Sequence, residues 1–255
     1  MLDVRRKIAE NRKLIEERIA AACAAAKRDP SEVHFIAVTK YIGMDVLKLL
    51  PDLGFSELGE SRGQELTKRA ATVNEFLSRR ARDLDAGAMP RPRWHMIGHL
   101  QRNKVRSILP WTDVIHSVDS LRLAEEIDTE ARKIDRIVEI LLQVNCSGEQ
   151  SKFGVAVGAA THMAELIAPL PNILLTGLMT MAPQTDDENV VRDSFLRCHE
   201  LYEEIRYELR VGSQFKHLSM GMSGDYELAI TCGATMVRIG SALFEGIPQP
   251  DPAAA

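Results

Sequence analysis

Eight short runs of apolar and β-branched residues recur along the chain, separated by longer stretches of helical periodicity, and this alternation leaves few architectures open. The runs are VHFIAV (33–38), GFSELG (54–59), WHMIG (94–98), DVIHSV (113–118), IVEILLQV (137–144), ILLTGLM (173–179), KHLSM (216–220) and TMVRIG (235–240). Helical patterns fall around residues 44–50, 62–83, 101–109, 120–133, 157–168, 188–209 and 225–232. These supply seven connections for eight strands. An eighth helix comes first: Val4, Ile8, Ile15, Ile19, Ala22 and Ala26 recur at helical intervals before Asp29-Pro30. The expected fold is therefore α/β, a (β/α)₈ TIM barrel with an extra N-terminal helix. An open doubly wound sheet is the rival, but it usually carries a glycine-rich first turn, and the first run closes instead on Thr39-Lys40-Tyr41.

Composition agrees with a helix-wrapped parallel sheet. The chain has 255 residues, 45% hydrophobic and only 5% aromatic, so its core must rest on aliphatic side chains. That length suits one barrel domain, expected over 1–246, with 247–255 as a flexible tail. The loop DLDAGAMPRPR (83–93) shares the tail's Gly, Pro and Ala content and is likewise expected to be mobile. A formal charge of −4 offers no global field for nucleic acid. Arg79, Arg80, Arg82, Arg91 and Arg93 read as a solvated face, with a protein or polyanion contact as the alternative. Cys23, Cys146, Cys198 and Cys232 have neither disulfide-framework nor metal-ligand spacing. With no apolar run of about 18 residues, a cytoplasmic protein away from membranes is expected.

In such a barrel the ligand site lies at the C-terminal ends of the strands. Lys40 closes the first run. If apolar neighbours desolvated its ammonium, the neutral amine could condense with an aldehyde; the alternative is a lysine that simply reaches solvent. A second cluster, SMGMSGDYELAI (219–230), combines flexible glycines with Ser219 and Ser223 and could cradle a phosphate, or be only a loop-to-helix junction. The third is Arg238 with Gly240 and Ser241, beyond the eighth run, where barrel anion sites commonly form. Asn145 ends the fifth run, and Glu149 with Lys152 could balance charge over the mouth or form a plain surface turn. Met179, Met181, Met220 and Met222 could pack on an aromatic ring or fill the barrel top. His95 reads as a strand-interior imidazole or a cofactor-side contact; with His99 it lacks the carboxylate of a zinc motif. A phosphate-ester isomerase without the lysine chemistry would need strand-end carboxylates, for which Glu57 and Glu60 are candidates, but neither has a visible paired partner and Lys40 is better explained by an aldehyde.

HFIAVTK (34–40), WHMIGHLQRNK (94–104), QVNCSGEQSKFG (143–154), GLMTMAP (177–183), SMGMSGD (219–225) and VRIGSALFEG (237–246) stand in this order. Together they resemble the YggS/PROSC family of pyridoxal phosphate homeostasis proteins, single-domain relatives of the alanine racemase barrel. The resemblance implies pyridoxal 5′-phosphate as cofactor, Lys40 as its Schiff-base lysine, and Ser223, Gly240 and Ser241 as the phosphate cradle. Ser219 would be a further contact. It places Arg238 against the pyridine nitrogen, where a permanent cation weakens the ring as an electron sink. Asn145 and Met220 become near-ring or loop contacts. Where the family commonly has a GEN segment, this chain has Gly59-Glu60-Ser61, so serine replaces the asparagine. The implied function is reversible custody of the cofactor, with possible delivery to apoenzymes, by a monomer. The alternative is a racemase-like enzyme using Lys40 as a base, but the second domain that supplies a racemase's opposing tyrosine is not expected here.

Overall fold

The computed structural model describes residues 1–83, 89–149, 152–209 and 212–248. Eight parallel strands close on themselves: β1 (His34–Val38), β2 (Glu57–Glu60), β3 (Arg93–Met96), β4 (Val114–Val118), β5 (Val138–Asn145), β7 (Ile173–Met179), β8 (His217–Met222) and β9 (Met236–Ile239). β1 pairs with β2 and β9, and the β4–β5 pairing completes the ring. All eight expected strands are present. A two-residue strand, β6 (Val155–Ala156), adds to the end of β5. The intervening helices are α2 (Met44–Leu47), α3 (Gly63–Asp83), α4 (Val105–Ile108), α5 (Leu121–Lys133), α6 (Val157–Ile167), α7 (Glu188–Glu208) and α8 (Tyr226–Thr231).

The N-terminal helix α1 (Leu2–Ala25) occupies the outer position between α8 and the segment after α2. Its buried stripe is Ile8, Ile15, Ile19 and Cys23. Asn11 Nδ2 donates to the carbonyls of Leu243 (2.9 Å) and Glu245 (3.0 Å), while Arg12 reaches the carbonyl of Leu53. The helix stops at Ala25, short of Asp29-Pro30, because Lys27 turns left-handed and Pro30 opens a separate 3₁₀ turn capped by Asp29.

Strand alternation sorts the side chains into two compartments. Leu58, Trp94, Leu142, Leu218, Met220 and Val237 join the layer between barrel and helices. Ile36, Leu141, Met179 and Met236 form a separate cluster inside the barrel. One inward position must be glycine: Gly177 has φ +155°, and a Cβ there would lie 1.7 Å from the His217 carbonyl oxygen. Among the described residues no helix is long and apolar enough to cross a membrane. Of the segments expected to be mobile, residues 84–88 and 249–255 lie outside the described residues.

Candidate functional site

β1 ends at Val38, and a buried polar knot fixes the backbone just beyond it. Thr39 N–H donates to the Gly59 carbonyl at 2.9 Å, and its hydroxyl lies 3.2 Å from both that carbonyl and Glu60 Oε2. Arg69, from α3, donates to the Thr39 carbonyl (3.0 Å) and stands 3.3 Å from Glu60. Burial pushes the Glu60 carboxyl up; the Ser61 N–H, Arg69 and Thr39 pull the other way. Lys40 leaves this knot at the barrel mouth, exposed, with its Nζ 4.6 Å from the centroid of the Tyr41 ring. Of the two environments that the sequence allows Lys40, the structure has the one that reaches solvent. The side chain emerges beyond Val38, the last buried inward position of β1, where Tyr41 is also exposed.

β9 lies beside β1, so the loop after β9 borders Lys40. There the N–H groups of Gly240 (3.2 Å) and Ala242 (3.3 Å) converge on one oxygen, Ser223 Oγ. Two backbone donors thus converge beside one hydroxyl, the kind of arrangement that can receive an anion. Gly221, at φ +91°, permits the turn that delivers Ser223; a Cβ there would sit 2.6 Å from that of Ala229. Asp225 Oδ1 accepts from Met222 N–H and braces the same turn. Ser241 is exposed beside a cavity of about 140 Å³ that also touches Tyr41, Gly240 and Phe244.

Arg238 lies deeper. It donates to Ser219 Oγ (2.6 Å) and to the Thr180 carbonyl (3.0 Å). Burial lowers its pKa to about 10, against the opposing pull of Asp225 and Cys198. Ser219 Oγ is also 2.9 Å from His116 Nδ1; His116 Nε2 is 2.9 Å from His95 Nδ1; and His95 Nε2 is 2.5 Å from Glu57 Oε2. His95 is therefore a strand-interior imidazole. Glu57 begins β2 on the N-terminal face, away from the mouth, so it is not a strand-end carboxylate of the site. Glu60 is at the mouth but engaged by the knot.

Lys40, Ser223, Gly240 and Ser241 come together at the mouth, with Arg238 and Ser219 beneath. Met220 does not join them: Ser219 faces inward, so its neighbour packs outward in the helix layer. Asn145 organises its own loop, with Nδ2 donating to the carbonyls of Glu149 (2.8 Å) and Lys152 (3.3 Å) and Oδ1 accepting from Ser147 Oγ (2.9 Å). Residues 150–151 of that loop lie outside the described residues. Lys152 pairs with Glu149 at 3.5 Å and donates to the Ala182 carbonyl at 3.2 Å, tying the loop to the one after β7. His99 diverges from His95 and stacks on Phe153 with centroids 4.1 Å apart. Met181 packs against the interior cluster, while Met222 is partly exposed. Sequence reasoning missed Arg69, His116 and Thr180, which support the site from three different elements.

A closed barrel with an accessible lysine, backbone N–H groups converging on a serine hydroxyl in the loop after the adjacent strand, and a buried arginine below defines a class, and residues 7–248 match the family described as alanine racemase, N-terminal domain. A pyridoxal phosphate homeostasis protein of Aquifex aeolicus is 36% identical over 228 residues, 89% of this chain and 93% of that protein. One from Pseudomonas aeruginosa is 36% identical over 238 residues, 93% of this chain and 94% of that protein. PipY of Synechococcus elongatus PCC7942, solved with PLP bound, superposes with a TM-score of 0.72 at 28% identity, covering 90% of this chain and 99% of PipY. The chain belongs to the family of pyridoxal phosphate homeostasis proteins, within the alanine racemase N-terminal domain fold.

Proposed function

We propose that this protein holds pyridoxal 5′-phosphate reversibly on Lys40 as part of vitamin B6 homeostasis, and releases it to apoenzymes that need it. The observation that carries this reading is the convergence of the Gly240 and Ala242 N–H groups on Ser223 Oγ beside Lys40. The residues present fit the cofactor: the cradle suits its phosphate, Lys40 is an accessible primary amine, and Arg238 supplies a buried donor for the ring end. When bound, the cofactor supplies an aldehyde that a primary amine captures reversibly. Lys40 holds it, the backbone donors orient it, and Arg238 opposes a proton on the ring nitrogen, a poor setting for demanding carbanion chemistry.

Custody rather than turnover is supported by two carboxylates near the mouth. Glu60 is committed to Thr39, Ser61 and Arg69, and Asp225 to the Met222 N–H. Both carboxylates brace the backbone of the site. The protein is read as a cytoplasmic monomer whose macromolecular partners are PLP-dependent apoenzymes. Purified holo-protein should activate such an apoenzyme faster than the same amount of free PLP does; equal rates contradict delivery. Multiple turnovers of amino-acid α-proton exchange in heavy water would contradict custody and favour the racemase-like alternative.

A further inference from the structure

The polar chain inside the barrel has its direction set from both ends. Arg238 carries only donors, so Ser219 Oγ accepts from it. The single Ser219 proton is then available to His116 Nδ1, which leaves the His116 proton on Nε2, facing His95 Nδ1. His95 in turn carries its proton on Nε2 and gives it to Glu57, which as a carboxylate only accepts. With both imidazoles neutral, the opposite polarity would require a protonated Glu57. Burial pushes the His116 pKa well below the ordinary imidazole range, which agrees with a neutral ring relaying through both nitrogens.

Both partners hydrogen-bonded to the buried Arg238 guanidinium, Ser219 Oγ and the Thr180 carbonyl, are neutral; the titratable groups that act on it directly are Asp225, at the turn after β8, and Cys198, from α7. Glu57 sits at the other end of a continuous hydrogen-bonded path to Arg238. The charged and titratable groups around Glu57 and His95 are His34 from β1, Arg93 from β3 (3.9 Å from Glu57), His116 from β4, Glu139 from β5 (paired with Arg93 at 2.8 Å), and Lys216 with His217 at the start of β8. Most of these are cationic or neutral. Glu57 is the anion that meets the chain.

We infer that Glu57, His95 and His116 are positioning residues for the ring end of the cofactor site, and that the negative charge of Glu57 on the N-terminal face of the barrel adds, through them, to the direct influence of Asp225 on the charge balance at Arg238. This rests on the reading that pyridoxal 5′-phosphate binds with its ring above Arg238. Losing that negative charge makes any cationic form of the bound chromophore harder to maintain.

The test uses the full-length protein loaded with pyridoxal 5′-phosphate, its visible absorption titrated across about pH 6 to 9. Glu57→Gln and His95→Leu should each lower the spectral midpoint by about half a pH unit or more. His95→Gln should recover part of the shift, because an amide can donate to Glu57 and accept from His116. Borohydride reduction and peptide mapping are run alongside on every variant. Parent-like midpoints in Glu57→Gln and His95→Leu, with Lys40 still labelled, would overturn the inference while leaving the cofactor site standing. Absence of label on Lys40 in the parent would overturn both. If circular dichroism shows that His95→Leu does not fold, the Glu57→Gln midpoint decides alone.

Discussion

Acidification should destabilise this barrel through His217 before most carboxylates titrate. His217 opens β8, is only 3% exposed, and meets the His34 ring edge-on at 5.4 Å. Burial, reinforced by the positive potential of His34, Lys216, Arg93 and His95, lowers its pKa to about 3. In the unfolded chain the same imidazole titrates near about 6.5. Below that pH the unfolded state binds a proton that the folded state refuses, so stability falls by about 1.4 kcal/mol per pH unit until the folded pKa is reached. Between pH 7 and pH 5 this single residue costs about 2 kcal/mol. His116 and His34, also lowered, act in the same direction, whereas the raised Glu60 and Asp225 carboxyls act in the opposite one. The contribution of His217 is therefore read by difference. Urea unfolding of the parent and His217→Gln at both pH values should show the parent losing about 2 kcal/mol more than the variant. Parallel losses in the two proteins would refute a neutral, buried His217.

Arg69→Leu leaves the buried Glu60 carboxylate without its cation and should cost about 3–5 kcal/mol in chemical unfolding. Because it also releases the Thr39 carbonyl, labelling at Lys40 should slow in whatever fraction stays folded. Ser223→Ala removes the hydroxyl at the focus of the cradle and should weaken pyridoxal 5′-phosphate binding about tenfold in an equilibrium titration, with the covalent adduct still on Lys40.

The barrel was legible because each strand's outward side chains are apolar and the runs are evenly interrupted by helical periods. β6 was not, since two residues carry no periodicity. Lys40, Ser223 and Gly240 could be placed at the mouth from strand ends and glycine-rich turns alone. The environment of Lys40 could not, because apolarity along a strand says nothing about the solvent just beyond its last buried layer. Met220, placed near the ring by the resemblance alone, packs in the outer core cluster, because Ser219 and Arg238 meet inside the barrel and the residue after Ser219 points the other way. The Glu57–His95–His116–Ser219 chain joins four strands, with His116 and Ser219 separated by 103 positions, so only barrel closure brings it together. Arg69 reaches the knot from a helix whose sequence shows one more charged residue among many.

Borohydride reduction of the PLP-loaded protein, followed by peptide mass mapping, tests the central claim most directly. The adduct should fall on Lys40, and Lys40→Ala should abolish it while circular dichroism stays close to that of the parent, because removing an exposed amine at a strand end disturbs no buried layer. An adduct on Lys104 or Lys152, with Lys40→Ala still fully labelled at substoichiometric PLP, would contradict the assignment.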